Sequence, residues 1–493
     1  MYQSIILGSV LLVTLYVLKR MRDPKLNLPS LVRYKFPIIG HTFIFLTNSE
    51  EFLKQCRKEY GDIFSLYLWG EVKTFIGKEH LQEVLTKDDS FDAGRAFERL
   101  LPLNAMLKHL ANFKNSTKVL KEYVINKLRT YTERMQKSLN LATRKYIGDC
   151  DEPKTIHNIY NIMTRIICIP IADIFVGQEI SQYEEIINTF SEFTNDAVKI
   201  LRIPPVLDFI YPGLQYYINS AILKLGIYNP AIKHEKVLIK HLKNQIYKRL
   251  QEKEKYGDSW KRPEDFLQDL IEEEGFDPNN NINYAEIAQK ICLFIFVSIH
   301  TTASSCAHVI MDLASRPEHI QELYEEQLEV HKEADENGTL PFETLNNMRK
   351  LDSFIKESLR LTQNIATLPH VTLKDYTFAN GLQIPKDRPV TLYIDDVYLD
   401  ESLQGPNPKS FEPFRHLGTN APVTKVSKNY LLFGGGKHAC PGRQLAINEV
   451  KFFLHNIILK YNLRTESGKI EEPKMFGPMK LPSDAGIIFE KRK

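Results

Sequence analysis

Residues 433–442 read FGGGKHACPG, four glycines around Cys440, one of six cysteines in the chain. A thiolate held in such a loop has three ordinary uses: nucleophile, zinc ligand, or axial ligand to heme iron. Zinc needs a full tetrahedral set; no second cysteine stands nearby and His438 alone is too little. A nucleophile gains nothing from so wide a glycine approach. A flat macrocycle does gain, because it must press against backbone cleared of side chains by Gly434, Gly435, Gly436 and Gly442. Heme therefore fits best. Behind the cysteine, Leu445, Ala446, Val450, Phe453, Leu454 and Ile457 recur at helical spacing. A helix is expected directly after Cys440, with Pro441 in its first turn. Amide N–H groups at a helix start favour a thiolate.

Other elements must carry this loop. The longest helical run is YAEIAQKICLFIFVSIHTTASSCAHVIMDLASRP, with Asn283 or Asn281 to cap it and Pro317 to stop it. It is apolar nearly all round and must be buried. KVLKEYVINKLRTYTERMQKSL and IHNIYNIMTRIICIPIADIF also read as helices. GDIFSLYLWG and VKTFIG alternate like a strand hairpin. TFANGLQIPKDRPVTLYI reads as strands and turns, and KMFGPMKLPSDAGIIFEKRK as a short hairpin. The polar stretches QEKEKYGDSWKRPED and FDPNNNIN read as loops. The expected fold is mainly α with a small β-rich region drawn from both ends, a single domain over 41–493, without internal repeats.

The cysteine loop resembles that of the cytochrome P450 family, with Phe433, Gly436, Cys440 and Gly442 at the matching positions. The resemblance implies a large helical bundle around heme b with small β-sheets, and Cys440 as the axial iron ligand. A basic residue, most often Arg in the family, is His438 here, facing a heme propionate. Glu357 and Arg360 in KESLRL match the family's helical Glu–Arg pair, and Arg415 in FEPFRH its third member. These three imply a structural charge network. In VSIHTTASS, Thr301 and Thr302 match the oxygen-activating helix, while Val297 and Ser298 replace a small pair and His300 replaces an acid. The resemblance makes Thr301 the hydroxyl that assists proton delivery, with His300 as a relay near neutral pH. The His-Thr-Thr variant is similar to membrane-bound fungal secondary-metabolism members such as ent-kaurene-type diterpene oxidases. The family's Trp-x-x-x-Arg has no counterpart, so Lys121 takes the propionate contact, and His370 stands where many members carry a heme-contacting Arg. Substrate contacts are implied for the segment around Phe91 to Leu110 and for Phe294, Val297, Ile365, Ala366, Leu368 and Pro478.

The net charge of +3 is spread along the chain and gives no nucleic-acid surface. The cysteines show no paired spacing, which fits a reducing compartment. Residues 1–18 are uncharged and followed by Lys19, Arg20 and Arg22. That order is opposite to a secretory signal and predicts a single-pass anchor over 1–22 with the rest cytosolic. Pro24, Pro29 and Pro37 make 23–40 a spacer. With the resemblance, these features imply an endoplasmic-reticulum monooxygenase using O2 and NADPH. Its partners would be an NADPH-cytochrome P450 reductase, cytochrome b5 as an optional donor, membrane lipid and a lipophilic substrate, a terpenoid or another lipophilic metabolite. Two rivals are a heme-thiolate isomerase or dehydratase needing no reductase, and a non-enzymatic heme or membrane adaptor. The intact Thr301–Thr302 pair argues against the first.

Overall fold

The alternating run Ile63–Leu68 turns at Trp69–Gly70 and returns as Glu71–Ile76, pairing Ile63 with Ile76 and Leu68 with Glu71. This hairpin begins the main sheet of the computed structural model, which describes residues 26–108, 113–274, 282–419 and 421–493. Strand Pro389–Tyr393 lies parallel to Glu71–Ile76, and Ala366–Thr372 lies antiparallel to Pro389–Tyr393. Phe91–Asp92 closes the far edge against Ala366–Thr372. The predicted anchor over 1–22 lies outside the described residues. The end of the predicted spacer is not free: Val32 N–H donates to Ser65 O at 2.9 Å, and Asn27 bonds Gln383 and Gly381.

The central helix, Tyr284–Ser315, starts where Asn283 accepts from the Glu286 N–H, and it packs on five other helices. These are Ile159–Val176, Glu184–Val198, Pro230–Tyr256, Arg349–Thr362 and Arg443–Lys460. Its apolar residues face neighbours on every side, so it is a core helix despite a composition apolar enough for a membrane. Ile159–Val176 is the same case and carries Pro170 within it. Each large aliphatic side chain removed from water here contributes about 1.5–3 kcal/mol.

Three local expectations are corrected. QEKEKY is not loop: it is the last part of the helix Pro230–Tyr256, whose end is Gly257. Its polar character reflects exposure on a surface helix. The cysteine helix begins at Arg443, two residues later than expected, with Pro441 in the preceding turn and Gly442 at its cap. The final segment divides: Lys474–Phe476 and Met479–Leu481 form a hairpin, but Ile487–Lys491 leaves it to pair with Tyr461–Thr465 and Lys154–Ile156.

Candidate active site

Cys440 is the one cysteine that is not buried; Cys56, Cys150, Cys168, Cys292 and Cys306 all are. Its backbone N–H donates to Phe433 O at 2.7 Å, closing the loop across the glycines. Gly434 and Gly436 adopt φ 74° and 59°, values that disfavour a side chain. A Cβ on Gly435 would stand 2.8 Å from Leu85 Cδ1, and one on Gly436 would strike the Leu85 carbonyl oxygen. Gly436→Ala is expected to displace the loop from Leu85 and lower heme content per folded protein at least several-fold, read as the ratio of Soret to protein absorbance. Burial pushes the Cys440 thiol up, while the Gly442 and Arg443 N–H groups and the Arg443 guanidinium pull it back. Binding to a metal ion would remove the proton outright.

The strand Ala366–Thr372 reaches this loop: Leu368 Cδ2 lies 3.8 Å from where a Cβ on Gly434 would stand. Its pairing with Pro389–Tyr393 slips between Thr367 and His370, and Leu368 has φ 53°. Such bulges re-aim side chains. His370 is buried, and its Nε2 has no hydrogen-bond partner. His438 is partly exposed and stands 3.2 Å from Asp88. A half-buried cysteine, a glycine loop in which Gly435 and Gly436 leave no room for a Cβ, and an orphaned imidazole nitrogen near it fit heme. Lys121 lies exposed on Phe113–Tyr123.

On the central helix, Val297 and Thr301 are the exposed points of an otherwise buried stretch, one turn apart. Thr301 Oγ1 donates to Val297 O at 3.0 Å, which leaves its lone pairs facing outward. His300 points elsewhere. Its Nδ1 lies 2.6 Å from the Tyr160 hydroxyl, and no hydrogen bond joins it to Thr301. Burial lowers its pKa to about 4, so the ring is neutral at physiological pH. The near-neutral relay expected of His300 has no geometric support: the ring is buried and bonds the Tyr160 hydroxyl rather than Thr301.

Phe294 is also corrected. It stacks edge-on to Phe266 at 5.2 Å and to Phe175 at 6.2 Å, so it is core rather than substrate wall. Ile365 is fully buried among Phe64 and Phe75, with its N–H donating to Pro478 O at 2.9 Å. It braces the turn that holds Pro478 instead of lining a cavity. Ala366 is buried at the start of its strand, opposite Tyr393. Phe97, within the predicted substrate-contact segment around Phe91 to Leu110, is exposed and meets Phe296 of the central helix edge-on at 6.1 Å.

Glu357 joins both arginines. Arg360 donates to it twice, at 2.8 and 2.9 Å, and Arg415 once, at 3.0 Å. The remaining guanidinium hydrogens go to carbonyls of the segment before Arg415: Arg360 to Tyr398 and Pro408, Arg415 to Gln404, Pro406, Asn407 and Ser410. This ties the irregular chain ahead of the cysteine loop to the helix Arg349–Thr362. A second carboxyl, Glu449 on the cysteine helix, is fully buried with neither oxygen hydrogen-bonded. Burial pushes it well above the usual carboxylate range, and its nearest charge effect is on Cys306 of the central helix.

A helical bundle with a thiol at the foot of a glycine loop and a charge network behind it defines a heme-thiolate protein. The sequence profile of cytochrome P450 matches residues 29–488, and this chain belongs to that family. It is 29% identical over 348 residues to cytochrome P450 monooxygenase 71 of Postia placenta, covering 68% of this chain and 66% of that one. It is 34% identical over 219 residues to cytochrome P450 monooxygenase janQ of Penicillium janthinellum, covering 42% of this chain and 43% of that one. A retinoic acid-bound cyanobacterial member shares the fold, with TM-score 0.69, 22% identity, 95% of this chain and 100% of that chain covered.

Proposed function

We propose that this protein is a membrane-anchored monooxygenase that inserts one oxygen atom of O2 into a lipophilic small molecule and reduces the other to water. The observation that carries this reading is Cys440, partly exposed at the end of a loop in which Leu85 excludes any side chain at Gly436. Heme, bound through that sulfur, supplies the oxygen chemistry. The chain's own groups do the rest. The Gly442 and Arg443 N–H groups and the Arg443 charge offset part of the burial cost of an anionic sulfur, and iron binding would remove the rest of the proton's hold. Thr301 is exposed on the central helix, and its oxygen can accept a hydrogen bond from a water; exchanging its bond to Val297 O for that water would let it pass a proton. Val297, Leu368 and Phe97 offer apolar surface that excludes bulk water and suits a terpenoid or similar metabolite. Electrons would come from NADPH through a separate flavoprotein reductase, with cytochrome b5 as an optional donor, at the cytosolic face of the endoplasmic reticulum. The fungal monooxygenases among its relatives support this class of reaction.

The test is NADPH-dependent turnover of lipophilic candidates in microsomes with added reductase. Product that forms equally well without reductase would sink the oxygenase reading in favour of an isomerase. Thr301→Ala is expected to uncouple the enzyme: NADPH is still consumed, peroxide accumulates, and product per NADPH falls about tenfold or more. Unchanged coupling would remove Thr301 from proton delivery.

A further inference from the structure

We propose that this protein retains heme through a protonated His370, so that holding the cofactor and taking up a proton are one linked event. The proposal rests on the heme-thiolate reading above. Its geometric basis is the bulge at Thr367–His370, which turns the Leu368 carbonyl onto the imidazole: His370 Nδ1 lies 2.8 Å from Leu368 O. A carbonyl only accepts, so Nδ1 carries the hydrogen. In the neutral ring Nε2 is then a bare lone pair. That nitrogen is unpartnered on a side chain only 3% exposed.

A carboxylate is also only an acceptor. It can bond Nε2 only when that nitrogen gains a second hydrogen, which makes the ring an imidazolium. An arginine in this place would always be charged; a histidine must be charged by the event itself. The charged and titratable groups facing the ring come from three elements: His438 from the glycine loop, Asp92 from the strand Phe91–Asp92, and Asp88 just before it. Asp88 is shared by His438 at 3.2 Å and Lys437 at 3.3 Å, and Asp92 by Arg95 at 4.0 Å. Cofactor carboxylates entering here join two that are already present, so the added negative charge favours proton uptake. Burial holds the free ring below its ordinary pKa, and pairing with a carboxylate raises it again. A group whose pKa rises on binding contributes affinity that is full below its free-state pKa and is lost as pH rises through its bound-state pKa. Heme should therefore be held tightly on the acid side and released more readily as pH climbs.

The experiment is heme transfer from the holoprotein to excess apomyoglobin, followed by visible absorbance between about pH 5.5 and 9. One linked proton permits at most about tenfold change per pH unit. The wild-type transfer rate is expected to rise roughly tenfold across that range. His370→Arg should transfer slowly with a flat profile, and His370→Gln should transfer faster than wild type at the acid end, also without slope. A flat wild-type profile, or an Arg variant that keeps the wild-type slope, overturns the proposal. If neither variant loads heme, the wild-type slope alone decides. Every sample begins as material whose reduced carbon monoxide complex shows the red-shifted Soret band. Loss of that band sinks the heme-thiolate reading, whereas a normal band with a flat wild-type transfer profile sinks only the proton linkage.

Discussion

Cys440→Ala is expected to abolish the red-shifted Soret band of the reduced carbon monoxide complex and to take turnover to background. The substitution keeps the backbone N–H that bonds Phe433 O, and the side chain is not part of the buried core. Helical circular dichroism should therefore stay near wild type, which separates loss of ligation from loss of fold. Cys440→His supplies a second control, because a neutral nitrogen ligand can hold heme without the anionic push of sulfur. Its carbon monoxide band should lie at the ordinary, unshifted position. Persistence of the shifted band in Cys440→Ala would require another thiolate, and the other five cysteines are buried.

The second large effect is expected at Glu357. Its carboxylate faces two buried or nearly buried guanidinium groups, with both side chains of the Glu357–Arg360 pair fully shielded from water. Glu357→Ala would leave both arginines without their counter-ion, and Arg360→Ala would leave the carboxylate short of its forked partner. Removing one member of a buried charge pair costs about 3–5 kcal/mol. That is a large part of the stability of an ordinary domain, so both variants are expected to accumulate as heme-free or aggregated protein. Arg360→Lys should be intermediate, since it keeps the charge and loses the fork. The measurement is the denaturant midpoint of the soluble fraction together with heme content. A variant with wild-type midpoint and full heme would overturn the structural role.

The same network sets an acid limit. Burial alone would raise the Glu357 carboxyl, but donation from Arg360 and His416, the Arg360 charge and the Glu412 N–H bring it from 4.5 down to about 2. A depressed carboxyl contributes stability that is present above its unfolded-state pKa and is lost as pH falls through the folded one. Here that window runs from 4.5 down to about 2, and the contribution at neutral pH is about 3 kcal/mol. Wild-type midpoints should fall through this window more steeply than those of Glu357→Gln.

Much of this site was legible because its motifs are local. The glycine loop, the helix behind Cys440 and the Glu357–Arg360 spacing each lie within one short stretch of chain. The cap at Asn283 was also readable, since a capping side chain acts on its own helix. What could not be read joins distant residues. Nothing in the sequence near His300 announces Tyr160, which lies 140 positions away and alters the histidine's chemistry. Leu85 likewise gives no signal of its own, yet it is what fills the space beside Gly435 and Gly436. The resemblance made Phe294 a substrate contact, but its ring packs into the Phe175–Phe266 cluster contributed by distant segments. The bulge at Thr367–His370 is invisible in the alternation of its strand, although it fixes which nitrogen of His370 is left over.

Glu449 has the opposite character to Glu357. Enclosed without a hydrogen-bonding neighbour, its carboxyl is pushed well above the usual carboxylate range by burial, so the fold favours its neutral form more than the denatured chain does. At this carboxyl folding favours proton uptake, so its contribution to stability falls as pH rises. This gives the protein an alkaline ceiling as well as an acid floor, and places the two within one bundle on helices that both pack against the same central rod.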